Sequence, residues 1–459
     1  MGDMENLFRL GQHQTTVSRE IVAGITTFVT MAYILFVNPQ ILSGTGMNAH
    51  AVFLATALGA GIVTLLMGLF VNYPIALAPG MGLNAYFATV AALHGGQMSW
   101  QTALGCVFIS GIVFIILTVT KIRQLLVVAV PDSLKLAITV GIGLFITIIG
   151  LKDGGVMTMQ FVGAAPTKFT PGALIQGADW LPGLGSLRNP GVDLTLIGLL
   201  LIAVLMALRV PGAIIIGILV TTLIGIPMGV TDLSGLSQAS WVPDFSKMNF
   251  AAFDLASVFH YGLISALFTF TFVELFDTFG TLVGTANKAG LLEGEEGEKR
   301  LGRAMLVDAT GVSLGALFGT STITAFVESG SGIAAGGRTG LTAVTTGILF
   351  LLSLFIAPIA LVIPAQATAP ALVIVGVLMM QAVRNIDWDN MGIAIPAFLT
   401  IVTMPLTYSI SNGIAVGFTA FVIINAILWL FGRREEYTRI HWLMIIIVIL
   451  ALWRYIFYV

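Results

Sequence analysis

The sequence predicts an all-α polytopic membrane protein of fourteen transmembrane segments, two inverted seven-segment repeats with short strands in broken segments three and ten. Three observations predict it: an apolar composition, a lopsided placement of Lys and Arg, and two halves that look alike. Of 459 residues, 57% are apolar and 9% charged, and the mean hydropathy is +1.00. A soluble domain carries about 25% charged residues. So few charges cannot cover a water-facing surface, which argues against a soluble enzyme, a disordered chain and a nucleic-acid binder. The lipid bilayer is the expected surrounding. The net charge of -2 names no charged partner. The single cysteine, Cys106, lies in an apolar stretch, so neither a disulfide framework nor a cysteine metal cluster is expected.

A spanning helix needs about 20 apolar residues. Suitable stretches lie at 20–43, 50–71, 75–92, 101–120, 134–151, 192–209, 211–230, 256–285, 303–319, 321–337, 340–363, 369–384, 391–409 and 410–431. A last apolar stretch, 441–458, contains Arg454 and reads either as a span or as an interfacial segment. The polar start, 1–19, has no signal-peptide pattern, so the first span reads as retained. Cytoplasmic loops collect Lys and Arg. With the N-terminus in the cytoplasm of a multi-pass cell-membrane protein, the outside receives only Lys152, Lys168, Arg188 and Lys247, in or beside the long loops 152–191 and 231–255. The charged run 290–303 reads as a solvated cytoplasmic loop.

The repeat shows in three places. Segment five (VGIGLFITIIGLKDGG, 140–155) resembles segment twelve (VIVGVLMMQAVRNIDWDN, 373–390). Segments six and seven form an apolar pair broken at Arg209 to Gly212, and segments thirteen and fourteen a pair broken at Ser409 to Gly413. Segments three and ten are both short, open with strand-forming residues (73–78 and 322–327) and then turn glycine-rich. Seven spans per half require the second copy to be upside down. Paired interrupted segments in an inverted repeat point to a transporter site near the bilayer midplane.

Acids inside spans are costly and are functional candidates by default. Glu328 is the sharpest, between the strand-like stretch with Phe326 and a half-helix beginning near Gly330. Such a helix start is expected to offer free N–H donors and partial positive charge. Ser329, Ser331 and the neighbouring glycines let a flat ligand approach the backbone. The plain alternative is a helix-capping carboxylate. Segment three repeats the arrangement without an acid, through Ala78, Gly80 and Asn84. In segment eight, Asp277, Thr281 and Gly284 fall on one helical face, with Glu274 three residues before Asp277. Two acids on one face would set like charges against each other, which disfavours Glu274 as a ligand. Asp308 lies one turn into segment nine, near its cytoplasmic end, and reads as packing or as a gating or proton-coupling acid. Thr30 and Tyr33 of segment one would face Asp277 if segments one and eight occupy matching repeat positions.

Five stretches resemble the AzgA-like purine nucleobase permeases of the nucleobase–ascorbate transporter superfamily, which also holds xanthine and uracil permeases. They are TTFVTMAYILFVNPQIL (26–42), YPIALAPGMGLNAYF (73–87), FDTFGTLVGTANKAGL (276–291), GTSTITAFVESGSGIAAGGRTG (319–340) and PAFLTIVTMPLTYSISNGIAVGF (396–418). The resemblance implies a core domain (20–130 and 256–364) and a gate domain (131–255 and 365–432), between a cytoplasmic N-terminus (1–19) and a C-terminal segment (433–459). It implies substrate-holding acids at Asp277 and Glu328, proton symport and a homodimer, with no cofactor. A His that some uracil-transporting relatives carry would fall at Thr281, which argues against uracil and against a His-based proton relay.

A carboxylate accepts two parallel N–H donors. Guanine offers N1–H and its 2-amino group on one edge, and hypoxanthine offers N1–H. Adenine presents an acceptor at N1 and would want a protonated acid. An ionised Glu328 therefore favours guanine and hypoxanthine, with xanthine a further candidate. An adenine-preferring permease and a sodium-coupled symporter are the alternatives. Asp277, Glu328 and Asp308 are the candidate proton-coupling acids. Sulfate- and bicarbonate-type anion carriers share the inverted-repeat design, but they need positive potential where this chain has an acid. A channel would need a continuous polar pore. HExxH is absent, and all five His lie near ends or loops, so no enzyme is expected.

Overall fold

The structure, a computed structural model, describes the chain apart from residues 1–4, 6, 92–97, 121, 123–128, 163–178, 239, 261–269, 272, 276–277, 279–280, 283–284, 287–288, 292–293, 434, 436 and 458–459. Among the described residues, nine helices are long and apolar enough to cross a membrane. Three shorter apolar helices accompany them, at Ala213–Gly225, Met391–Leu406 and Trp442–Leu452. The protein is a mostly helical polytopic membrane protein.

Segment one is two helices. Helix α1 (Val17–Met31) stops at Ala32–Tyr33, and α2 (Ile34–Ser43) resumes beyond. Helix α3 (Ala49–Leu66) starts at Asn48, whose side chain accepts the N–H of Ala51. Such a cap satisfies a donor that the helix itself leaves open. A wider π turn, Met67–Val71, ends in Asn72 with a left-handed φ of 59°. The chain then extends as β1 (Leu77–Pro79) and winds into α4 (Met81–Val90). Helices α5 (Trp100–Val119), α6 (Asp132–Asp153), α7 (Pro190–Ala207) and α8 (Ala213–Gly225) follow. The loop expected over 152–191 instead carries an antiparallel pair, β2 (Met157–Val162) with β3 (Asp179–Leu184).

In the second half the described residues between 270 and 286 are helical. Helix α9 (Gly294–Phe318) precedes β4 (Ile323–Ala325), α10 (Ser329–Ala334) and α11 (Gly340–Leu352). Helices α12 (Ala365–Met380), α13 (Met391–Leu406), α14 (Ile410–Leu430) and α15 (Trp442–Phe457) complete the chain. One face of α15 (Met444, Ile447, Val448, Ala451) is buried, while Ile445, Ile446, Ile449 and Leu450 are exposed.

Two expectations need correction here. Most of the run 290–303 is not a loop but the opening of α9, because Glu, Lys, Arg and Leu are all good helix formers. Arg300 in this run is buried, donates to the carbonyls of Val71 (3.4 Å) and Asn72 (2.6 Å), and lies 5.1 Å from the ring centre of Tyr73. Asp308 is consequently not one turn from the helix start but about four, and it is fully buried.

Strands β1 and β4 form where the sequence places them, antiparallel, with Leu77 opposite Ala325, Ala78 opposite Thr324 and Pro79 opposite Ile323. Gly80 donates to the carbonyl of Thr322 (3.0 Å) and Phe326 to that of Ala76 (3.0 Å), extending the pairing at both ends. Unpaired backbone is not tolerated against lipid, so two short broken segments satisfy each other inside the protein. Glycines on α9 let β4 lie against the helix. A Cβ at Gly311 would meet the carbonyl of Ile323 at 2.7 Å, and one at Gly315 would collide with the carbonyl of Ser321. Gly315→Val should displace β4 at a cost of about 1–3 kcal/mol. Thermal unfolding of the detergent-purified variant checks this, and an unchanged midpoint would refute the close-approach argument.

Candidate substrate site

Glu328 follows β4 by three residues and is half-buried. Its Oε1 accepts the phenolic O–H of Tyr33 at 2.6 Å. Tyr33 is itself buried and sits at the junction of α1 and α2. One turn away, Thr30 Oγ1 and Ser331 Oγ are 2.8 Å apart, and Ser331 Oγ also donates to the carbonyl of Glu328 (2.7 Å). Gly332 permits this approach, since a Cβ there would meet the carbonyl of Ala23 at 2.6 Å. Thr30 and Tyr33 therefore meet Glu328 and Ser331. Asp277, which they were expected to face, lies outside the described residues.

The expectation of free N–H donors near Gly330 also needs correction. Ser329 donates to Phe326 (3.1 Å), Gly330 to Val327 (2.9 Å) and Ser331 to Glu328 (2.9 Å). A tight turn begins ahead of α10 and consumes those donors. Ser329 is buried, and its Oγ accepts the N–H of Ala76 (3.0 Å), which ties α10 to the start of β1. Phe326 is buried beside this pairing.

Segment three supplies the opposing wall. Ala78 and Gly80 lie in and just beyond β1. Asn84 is fully buried, and its carboxamide oxygen accepts from Ser321. Thr281, in the helical stretch of segment eight, is half-buried, and its carbonyl accepts from Thr285 (2.7 Å). Behind β4, Asp308 Oδ1 accepts from Thr324 Oγ1 and from the N–H of Ala325, both at 3.2 Å. Thr278 Oγ1 bridges Glu274 Oε1 (2.9 Å) and Thr324 Oγ1 (2.7 Å).

Further along α4 lies a cavity of about 590 Å³, lined by Gln40, Ser43, Ala85, Ala88, Thr89, Ile149, Lys152, Asp153, Ala365 and Tyr408 among others. Lys152 Nζ stands 5.4 Å from the Tyr408 ring centre. Glu328 is not part of its lining.

Sequence reasoning missed Glu20, the first residue of the span read at 20–43. It is fully buried and accepts from the N–H groups of Arg338 (2.9 Å) and Thr339 (3.2 Å) and from Thr342 Oγ1 (2.6 Å). No pattern in the first twenty residues signals a partner more than 300 positions away.

The chain was compared with known proteins. The sequence model of the Permease family (Xan_ur_permease) matches residues 18–416. The chain belongs to this permease family. The resemblance drawn from the five motifs is borne out, and the protein is a transporter rather than an enzyme. The permease is 44% identical over 451 residues to the guanine/hypoxanthine permease PbuO of Bacillus subtilis, covering 97% of this chain and 98% of that one. It is 42% identical over 424 residues to the adenine permease AdeQ of Escherichia coli, covering 92% and 91%. The solved transmembrane domain of the cyanobacterial bicarbonate transporter BicA matches with a TM-score of 0.58 at 14% identity, covering 89% of the permease and 96% of that domain. At such identity the likeness shows a shared fold and says nothing of substrate.

Proposed function

We propose that the permease imports purine nucleobases, guanine and hypoxanthine first and xanthine as a further substrate, by proton symport. Its fourteen segments form two inverted repeats, and a core (20–130 and 256–364) moves against a gate (131–255 and 365–432) around the site. The N-terminus is cytoplasmic, and the working form is a homodimer. The observation that carries the substrate reading is Glu328 at the β1–β4 crossing, with Oε1 held by the Tyr33 O–H. A carboxylate offers about four lone-pair positions, so Oε2 and the rest of Oε1 remain to accept an oxopurine N1–H and 2-amino group. Asp277 would hold the imidazole edge or carry a proton. Ala78, Gly80, Asn84, Phe326, Ser329, Gly330, Thr281 and Thr30 would shape the pocket. The fold shared with a bicarbonate transporter does not favour anion transport, because the side chain presented at the crossing is acidic.

The name of one relative supports guanine and hypoxanthine, and that of another, of similar identity, supports adenine. The relatives therefore leave the choice to the site, where an O–H donor on Glu328 suits an ionised acceptor. The test is uptake of labelled hypoxanthine into proteoliposomes under an inward proton gradient without sodium. Uptake abolished by a protonophore and competed by guanine rather than adenine is the expected result. Uptake only with sodium would overturn the coupling, and competition by adenine alone would overturn the assigned state of Glu328. Tyr33→Phe keeps the ring and removes one charge-assisted hydrogen bond. Hypoxanthine binding should weaken about tenfold at unchanged protein yield, as read by equilibrium binding.

A further inference from the structure

We propose that Glu274 and Asp308 hold a single proton between them across two threonine hydroxyls, and that this buried chain is the proton-binding site of the transport cycle. The second half of the statement rests on the proton-symport reading above. The first half rests on a count of hydrogens.

The chain has four side chains and three links. Glu274 Oε1 to Thr278 Oγ1 is 2.9 Å, Thr278 Oγ1 to Thr324 Oγ1 is 2.7 Å, and Thr324 Oγ1 to Asp308 Oδ1 is 3.2 Å. All four residues are buried, Thr324 being 2% exposed and the others 0%. Each link needs one hydrogen. A hydroxyl supplies one, and an ionised carboxylate supplies none. With both acids ionised, each hydroxyl would donate outward to its acid. The two hydroxyl oxygens would then face each other at 2.7 Å with no hydrogen between them. The third hydrogen has to come from a carboxyl group.

Two placements satisfy all three links. In one, the Glu274 O–H donates to Thr278, Thr278 to Thr324, and Thr324 to an ionised Asp308. In the other, every donor is reversed and Glu274 is the anion. Passing from the first to the second, the carboxyl hydrogen moves to Thr278 as that hydroxyl hydrogen moves to Thr324 and the next to Asp308. One proton and one negative charge change ends, and no heavy atom has to move. The first placement suits the Asp308 end better, because Oδ1 there also accepts the N–H of Ala325.

The location connects the proton to the substrate site. Thr324 is the middle residue of β4 and pairs with Ala78 of β1, and Ala325 is held by Asp308. Glu328 lies four residues beyond Thr324 on the same strand-to-helix connection. A change in the charge at Asp308 acts on the strand that presents Glu328. Other charged or titratable groups lie on the elements packed here. On α9 they include Arg300, which is engaged with Val71 and Asn72, and Arg303. Helix α3 carries His50 at its start, and α5 carries Cys106. Asp277 of segment eight is outside the described residues.

Infrared spectroscopy of the purified full-length protein tests the count without reference to any coupling ion. The expected wild-type spectrum at neutral pH contains a protonated-carboxyl C=O band that shifts in D2O. Glu274→Gln should remove one such band, because its amide N–H2 supplies the third hydrogen and leaves Asp308 ionised. Asp308→Asn should keep the band, because the carboxamide oxygen still accepts from Thr324 and from the N–H of Ala325 and Glu274 still supplies the third hydrogen. The double variant should lose the same band as Glu274→Gln alone. A wild-type spectrum without a protonated-carboxyl band overturns the proposal, and so does a set of bands that survives Glu274→Gln. For the coupling role, Glu274→Gln in proteoliposomes should lose proton-driven hypoxanthine accumulation at least tenfold more than it loses equilibrium binding. Thr278→Val should do the same, and Thr278→Ser should restore accumulation. Equal losses of binding and accumulation in Glu274→Gln overturn the coupling role. If wild-type accumulation follows sodium instead, the symport reading fails, while the infrared bands still decide the shared proton.

Discussion

Glu328→Gln is expected to invert the purine preference of the permease. Guanine should lose at least about a hundredfold in affinity and hypoxanthine about ten- to a hundredfold, while adenine binding is kept or gained. A hydrogen bond to a charged acceptor contributes about 1.5–3 kcal/mol, and each 1.4 kcal/mol is tenfold in affinity. Guanine would lose two such bonds and hypoxanthine one, which fixes the order of the losses. The gain for adenine follows from donor pattern. A glutamine can donate through its N–H2 to adenine N1 and accept from the 6-amino group through its oxygen. The side chain keeps its size, and its oxygen can still accept from Tyr33, so the fold around α1 and α10 should survive. Equilibrium binding of the three bases to purified wild type and variant measures the effect. Guanine affinity unchanged within twofold would falsify the pairing of Glu328 with the N1–H edge.

The parts of this site that were legible in the sequence share one property: their signals are local. Strand-forming residues at 73–78 and 322–327, each followed by glycines, mark breaks in otherwise apolar spans, and β1 and β4 form there. An acid inside a span is conspicuous, so Glu328 is legible in the sequence alone. The break in segment one left no such mark. No glycine or proline stands at Ala32–Tyr33, and Pro39 lies a turn and a half further on, inside α2. The position of Tyr33 against Glu328 spans 295 residues and is set by how α1 packs on α10, which no local pattern encodes. The charged run before Arg303 was ambiguous for a different reason. Glu, Lys and Arg suit both solvated loops and helix openings, and what decides is the anchoring of Arg300 on the carbonyls of Val71 and Asn72. The donors near Gly330 were misjudged because helix geometry alone cannot reveal a tight turn wound ahead of it.

Glu20→Ala is expected to destabilise the permease by about 3–5 kcal/mol and to abolish transport through loss of folded protein. The carboxylate does three jobs at once. It accepts two adjacent backbone N–H groups, of Arg338 and Thr339, at the turn between α10 and α11, and it accepts the hydroxyl of Thr342 in the first turn of α11. Thr339 and Thr342 are fully buried, so after truncation water cannot easily replace the carboxylate. An orphaned buried donor costs about 1–3 kcal/mol, and breaking a buried charged contact from one side costs about 3–5 kcal/mol. The same turn carries other contacts. Asn72 Oδ1 accepts the N–H of Gly340 at 2.6 Å, and its Nδ2 donates to the carbonyl of Phe8 at 3.0 Å. Phe8, Leu10 and Leu341 are buried together beside it. Segment one, the end of segment two and the start of segment eleven are therefore pinned to one point, so the failure of one acceptor should spread. Thermal unfolding in detergent should show a much lower midpoint for Glu20→Ala. Glu20→Gln, which keeps one acceptor oxygen but turns an N–H2 toward the remaining donors, should fall between. A midpoint for Glu20→Ala equal to that of wild type would mean that Asn72 and the apolar cluster hold this turn without it.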